Sequence, residues 1–230
     1  MATVRPTLIF DLDGTLVHSA PDIGAAANHA LLPLGARTLT TDEISLMIGN
    51  GLPKLLERSF ASVGMQPDRR QFDETYTVFI SYYKTHPAVH SRLYPGTLEA
   101  LETLVDEGFT LCVCTNKLEA IALEVLDGLN IRRLFKSVVG GAPGRPQKPD
   151  PASLIEAVKD AGGDPAHAIM IGDSAADAAL AKAACCPLIL VSFGYSHDPV
   201  STLGAAQIVN AMSALPSAVH SVILGHSGAA

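Results

Sequence analysis

The chain has 230 residues, 48% of them hydrophobic and 17% charged, enough for one substantial core or for one core with a smaller satellite; disorder is excluded. Sixteen Lys plus Arg against 23 Asp plus Glu give a formal charge of −7 with no basic run, which argues against nucleic acid as a partner. An anionic small substrate stays open, because a metal and a few local cations can override the field of the whole surface.

Met1 to Pro6 lead directly into an apolar run, without a long apolar leader, and nowhere is there the uninterrupted apolar length of a membrane span. A cytoplasmic protein with no membrane partner is expected. The first apolar run, Thr7 to Phe10, reads as a buried strand and ends in Asp11-Leu12-Asp13-Gly14-Thr15. Next come four segments with helical spacing: Pro21 to Leu34, Asp42 to Ile48, Leu52 to Val63 and Asp68 to Lys84, the third carried by Leu52, Leu55, Leu56, Ser59 and Phe60. Further buried strands are predicted at Phe109 to Cys114, Ser137 to Val139, Ala168 to Ile171 and Leu188 to Val191. Between and around them, Thr97 to Glu107, Leu118 to Leu126, Pro151 to Ala161 and Ser174 to Ala184 read as helices. Strands alternating with helices imply an α/β fold with a doubly wound parallel sheet, Rossmann-like in outline.

The spacing breaks once. About 95 residues separate Asp13 from Phe109, where a crossover unit needs about 30. The surplus is an inserted α-helical cap domain, taken as residues 17–90, with the core at 1–16 and 91–219 and a small, polar tail at 220–230 that is expected to fray. Cys112-x-Cys114 and adjacent Cys185-Cys186 match no zinc spacing and read as buried reduced thiols.

Asp11, Thr115 and Asp173 each follow an apolar run, so all three belong on the carboxyl edge of the sheet, where open parallel sheets bind ligands. Asp11 and Asp13, two residues apart, converge while the chain stays extended. Crowded carboxylates repel unless a hard cation is present, and a few carboxylates plus waters suit Mg²⁺. Asp11 is then the candidate nucleophile, accepting a phosphoryl group, and Asp13 the candidate proton carrier with its carboxyl off the metal. Gly14 allows a tight turn, and the amides after it, from Thr15 on, can point at phosphate oxygens. Thr115 adds a hydroxyl donor, Lys148 a positive charge, and Asp173 a metal ligand. Plainer readings stand beside these: Thr115-Asn116 as a helix N-cap, Lys148 before Pro149 as a solvated loop cation, and Asp177 in Ser174-x-x-Asp177 as a capping residue, which is compatible with a supporting role behind the metal ligands.

In this order the four fragments, Asp11-Leu12-Asp13-Gly14-Thr15, Thr115-Asn116, Lys148-Pro149 and Gly172-Asp173 with Asp177, resemble the haloacid dehalogenase-like phosphohydrolases, from about Leu8 to Tyr195. Within that superfamily, Phe10 to Val17 with Ser19-Ala20-Pro21-Asp22, Gly49-Asn50-Gly51, Thr115-Asn116-Lys117, Lys148-Pro149-Asp150-Pro151 and Gly194-Tyr195 look like the bacterial phosphoglycolate phosphatases. The resemblance implies a phosphatase for a small phosphorylated metabolite, 2-phosphoglycolate first, with Mg²⁺ held by Asp11, the backbone carbonyl of Asp13, and Asp173. His18 departs from the family's usual Asp, and Cys185-Cys186 from a common Ala-Gly.

Substrate choice is expected in the cap. Gly49-Asn50-Gly51 opens a helix whose free amides attract an anion, and Lys54 lies one turn in, although a solvated Lys54 is an equal reading. Asn50, Gly51, Lys54 and, from the core, Gly14, Thr15 and Asn116 are therefore the candidate substrate contacts. Alternatives on the same scaffold are a sugar-phosphate phosphatase or phosphomutase; outside the enzymes, a phosphoacceptor signalling or phosphate-binding module. A monomer or a homodimer is expected.

Overall fold

The structure, a computed structural model, describes residues 5–227. In chain order it contains β1 (Thr7–Phe10), β2 (Val17–His18), α1 (Ala20–Leu31), α2 (Thr41–Ser45), α3 (Gly51–Ser62), α4 (Arg69–Thr85) and β3 (Arg92–Leu93). It then alternates through α5 (Thr97–Asp106), β4 (Thr110–Leu118), α6 (Glu119–Gly128), β5 (Ser137–Gly141), α7 (Pro151–Asp160), β6 (Ala168–Gly172), α8 (Ala175–Ala183), β7 (Leu188–Val191), β8 (Gln207–Val209) and α9 (Leu215–Ser227).

The four residues of β1 are all buried because helices cover the sheet on both faces. Successive side chains of a strand point to opposite faces, so Leu8 and Phe10 join one apolar cluster with Leu101 and Ile121, while Ile9 joins another with Leu154 and Met170. Six parallel strands form one sheet in the order β5-β4-β1-β6-β7-β8. The chain moves outward from β1 through β4 to β5, then returns beside β1 as β6 and moves out the other way. The crevice beyond the carboxyl ends of β1 and β6 is therefore the switch point where ligands of such sheets bind.

The helices α1 to α4 form an inserted cap. Its own apolar residues, among them Ile44, Leu55, Leu56, Phe60 and Phe79, are buried. Thr40 and Glu43 close a capping box at α2, and the Asp68 carboxylate caps α4 through the Gln71 amide. Two strands connect the cap to the sheet side by side: β2 and β3 pair antiparallel, Val17 opposite Leu93 and His18 opposite Arg92.

Three readings from the sequence differ from the structure. β8 was not expected; it is three residues long with two exposed, too short to carry a pattern. From His220 the chain continues α9 as far as Ser227, because Val219 and Val222 give that helix a packing face; residues 228–230 lie outside the described residues. Cys112 and Cys114 are buried, but Cys185 is exposed and Cys186 half-buried: Cys185 turns the chain out of α8 with φ 52°. Among the described residues no helix is long and apolar enough to cross a membrane.

Candidate active site

Asp11 is the first residue past β1, and its amide extends the ladder by donating to the Ile171 carbonyl at 2.9 Å. That bond fixes its carboxylate at the switch point, where it is 8% exposed. Asp11 Oδ1 accepts from the Leu12 amide at 2.7 Å, and Lys148 Nζ donates to Asp11 Oδ2 at 2.8 Å and to Asp177 Oδ1 at 2.7 Å. Asp177 Oδ2 in turn accepts from the Ser174 amide at 3.1 Å, the Asp173 amide at 3.2 Å and the Ser174 hydroxyl at 2.7 Å. One side chain thus anchors the start of α8 and holds Lys148, so the capping and supporting readings of Asp177 coexist.

Asp173 accepts from the Tyr195 amide at 2.6 Å and from the Thr15 hydroxyl at 3.2 Å. Gly14 has φ 87°, and a Cβ there would collide with the Asp173 carboxylate and the Tyr195 ring, so only glycine lets the loop pass this close. Asp11, Asp173 and Asp177 each present a carboxylate oxygen within 4.8 Å of the others.

Burial pushes the Asp11 carboxyl up to about 6, Asp177 and Asp13 add repulsion, and Lys148 opposes them. Burial, then the charges of Asp177 and Asp11, hold Asp173 well above the usual carboxylate range. For Lys148, burial disfavours the charge, but the two carboxylates it contacts outweigh that and keep it protonated beyond an ordinary lysine. An all-oxygen donor set, buried and mutually repelling, fits a hard divalent cation.

Asp13 points elsewhere. Its carboxylate accepts from the Ser19 hydroxyl and from Lys117 Nζ, at 2.9 and 3.0 Å to its two oxygens. Lys117 lies within a register shift in β4 between Cys114 and Leu118, and such an irregularity re-aims side chains at a strand's end. Its ammonium also donates to the Tyr83 hydroxyl from α4 and lies 4.7 Å from that ring's centre.

The structure thus brings Asp11, Asp13, Gly14, Thr15, Thr115, Lys148, Asp173 and Asp177 to one crevice. Asn116 lines the space beside Asp11, and its side chain is also tied down: its carbonyl accepts the Lys148 amide at 2.8 Å and its amide donates to the Lys148 carbonyl at 3.2 Å. It braces the loop that carries Lys148. Asn50 accepts from Arg58 at 2.7 Å, and Lys54 pairs with Glu57 at 2.6 Å on a half-exposed face. Gly51 lines the smaller space beside Asp11 and Asn50 the larger one, whereas Lys54 lines neither.

Two cavities flank Asp11 and Asp13, both walled by Ile48 and Gly49 of the cap. The smaller, about 30 Å³, is bounded by Ile23, Leu52, Leu55 and Lys117. The larger, about 70 Å³, opens toward Asp173, Ser174, Tyr195, His197 and Asp198. Lys117, Tyr83, Ser19 and Tyr195 were not singled out as site residues from the sequence. Lys117 carried a signal, a charge three residues past the predicted strand Phe109 to Cys114; Tyr83 carried none, since it reads as one more apolar position of α4.

Residues 8–191 match the family described as haloacid dehalogenase-like hydrolase. A phosphoglycolate phosphatase from Caulobacter vibrioides is 41% identical over 212 residues, which cover 92% of this chain and 90% of that one. Another from Cereibacter sphaeroides is 42% identical over 198 residues, covering 86% and 90%. The crystal structure of a predicted phosphoglycolate phosphatase from Haemophilus somnus 129PT superposes with a TM-score of 0.87 at 28% identity, covering 94% of this chain and 99% of that one.

Proposed function

Because the chain belongs to the haloacid dehalogenase-like hydrolases and is a phosphatase, we propose that it hydrolyses 2-phosphoglycolate to glycolate and phosphate through a phosphorylated Asp11. The observation that carries this reading is the position of Asp11 at the switch point, its carboxylate 2.8 Å from Lys148 Nζ and grouped with Asp173.

Asp11 attacks phosphorus and forms an acyl phosphate as the ester P–O bond breaks; the departing glycolate oxygen takes the proton carried by Asp13. Water, deprotonated by Asp13, then attacks phosphorus and returns Asp11 as carboxylate with release of inorganic phosphate. Lys148, the Thr115 hydroxyl and the amides around Gly14 and Thr15 hold the phosphoryl oxygens as negative charge develops on them. Asp11, the Asp13 backbone carbonyl and Asp173 would hold Mg²⁺, supported by Asp177, and the ion when bound neutralises phosphoryl charge. Residues 17–90 act as a cap that excludes bulk water during transfer. The same proposal places the enzyme in the cytoplasm, as a monomer or homodimer.

The relatives named above support the choice of substrate, since they carry that name and match nearly the whole chain. A Mg²⁺-supplemented panel of 2-phosphoglycolate, sugar phosphates, nucleotides and pyrophosphate tests it. 2-Phosphoglycolate is expected to lead in kcat/KM by at least about tenfold, with turnover lost on chelation. A sugar phosphate or nucleotide in first place overturns the substrate assignment.

A further inference from the structure

We infer that Lys117 recognises the carboxylate of the substrate's organic half, a role the sequence suggested for the amides of Gly49-Asn50-Gly51 with Lys54 assisting. The inference rests on the proposed substrate class, a short phosphorylated acid, and assigns the side chain that reads it.

Lys117 is the only cation among the described residues that line the smaller cavity. Its side chain is fully buried, which is costly for an ammonium unless acceptors surround it. Asp13 and the Tyr83 hydroxyl supply them in the free protein. An ammonium on a four-carbon stem can re-aim its donors, so an incoming carboxylate can share them without moving the backbone. In 2-phosphoglycolate one methylene separates the ester oxygen from the carboxylate. With phosphorus at Asp11 and the ester oxygen at Asp13, the carboxylate therefore falls beside the group that already touches Asp13.

The walls exclude other tails. Ile23, Ile48, Leu52 and Leu55 offer no hydrogen-bonding side chains, and about 30 Å³ accommodates roughly two water-sized groups. A sugar would leave several hydroxyls unpaired against them. Lys54 pairs with Glu57 and lines neither cavity, so it does not compete for the role.

Ethyl phosphate has the same two carbons and no carboxylate, so the kcat/KM ratio of 2-phosphoglycolate to ethyl phosphate measures carboxylate recognition directly. The wild type is expected to favour 2-phosphoglycolate, and Lys117→Met to lower the ratio at least about 100-fold, with Lys117→Arg recovering part of it. If Lys117 only positions Asp13, both substrates lose equally and the ratio stands, which overturns the inference while leaving the proposed function intact. A wild-type enzyme without the preference overturns the substrate reading itself. Should Lys117→Met not fold, ¹⁵N-lysine-labelled wild type serves, its Lys117 signal assigned by its absence in Lys117→Arg. Glycolate should shift that signal and ethylene glycol should not; no shift with glycolate overturns the inference.

Discussion

At the scale of single residues, the site is set by what each carboxylate can accept. Asp11 has one oxygen toward Lys148 and the other on the Leu12 amide, so two contacts hold it in one orientation. Asp13, two residues on, is held instead by Ser19 and Lys117. Two acids of the same short loop therefore occupy different environments, a requirement when one is to be nucleophile and the other proton carrier. Asp11→Asn is expected to lower turnover at least about 10³-fold, because the amide cannot accept a phosphoryl group. Its companion measurement is a rapid acid quench of a single turnover of ³²P-labelled substrate with enzyme in excess: wild type should carry the label in the peptide containing Asp11. Absence of ³²P from that peptide at every quench time, while labelled phosphate is released, contradicts the covalent intermediate.

At the scale of elements, the cap depends on two linkers that lie side by side. Beyond the β2–β3 pairing, the buried Asp22 carboxylate on the first turn of α1 accepts from the His90 amide at 2.9 and 3.0 Å, the Ser91 amide at 2.7 Å and the Ser91 hydroxyl at 2.6 Å. This clasp ties the chain leaving for the cap to the chain returning from it. Asp22→Ala strands those donors in a buried place and is expected to cost about 2–4 kcal/mol of stability, read as a lower urea midpoint with unchanged slope. Tyr195 links the same region to the metal-ligand candidates: its amide holds Asp173 while its hydroxyl accepts the Ala20 amide at 3.0 Å. His18 contacts that hydroxyl through Nδ1 at 2.8 Å, which places the residue that departs from the family pattern at the hinge rather than among the reacting groups.

At the scale of the whole molecule, the converging carboxyl ends of β1 and β6 concentrate like charge. Asp173 shows the consequence for stability. Its folded pKa is raised, chiefly by burial and then by Asp177 and Asp11, so the folded protein keeps a proton that the unfolded chain gives up above about pH 4. In metal-free protein this contribution is fully present below the unfolded pKa and is lost as pH rises through the folded one. Asp173→Asn removes the charge, and an amide in its place can still accept from the Tyr195 amide and donate to the Thr15 hydroxyl. Metal-free Asp173→Asn is therefore expected to melt a few degrees above wild type at pH 7, with the gap closing toward pH 4. Added Mg²⁺ should raise the wild-type melting temperature and leave the variant unmoved. A variant that melts below wild type at pH 7 contradicts the charge argument.

The alternation of apolar runs with helical patterns, the place of the insertion and the acids that end β1 and β6 were all legible along the chain, because each is a local property: a period, a length or a residue at a strand's end. Three things were decided only by folding. Lys117, not Lys54, faces the cavity, since β4 carries a register shift and α3 turns Lys54 to solvent beside Glu57. Asn116 braces Lys148 through both backbone groups, a pairing across 32 residues that no spacing announces. Tyr83, read as an ordinary helix position, and Asp22, read only as part of the family resemblance, become contacts between segments far apart in the chain. By itself the sequence determined which chemistry-bearing residues the sheet edge collects; only the tertiary structure decided which partner each of them meets, because a side chain's partners are set by how distant elements pack and not by its neighbours in the chain.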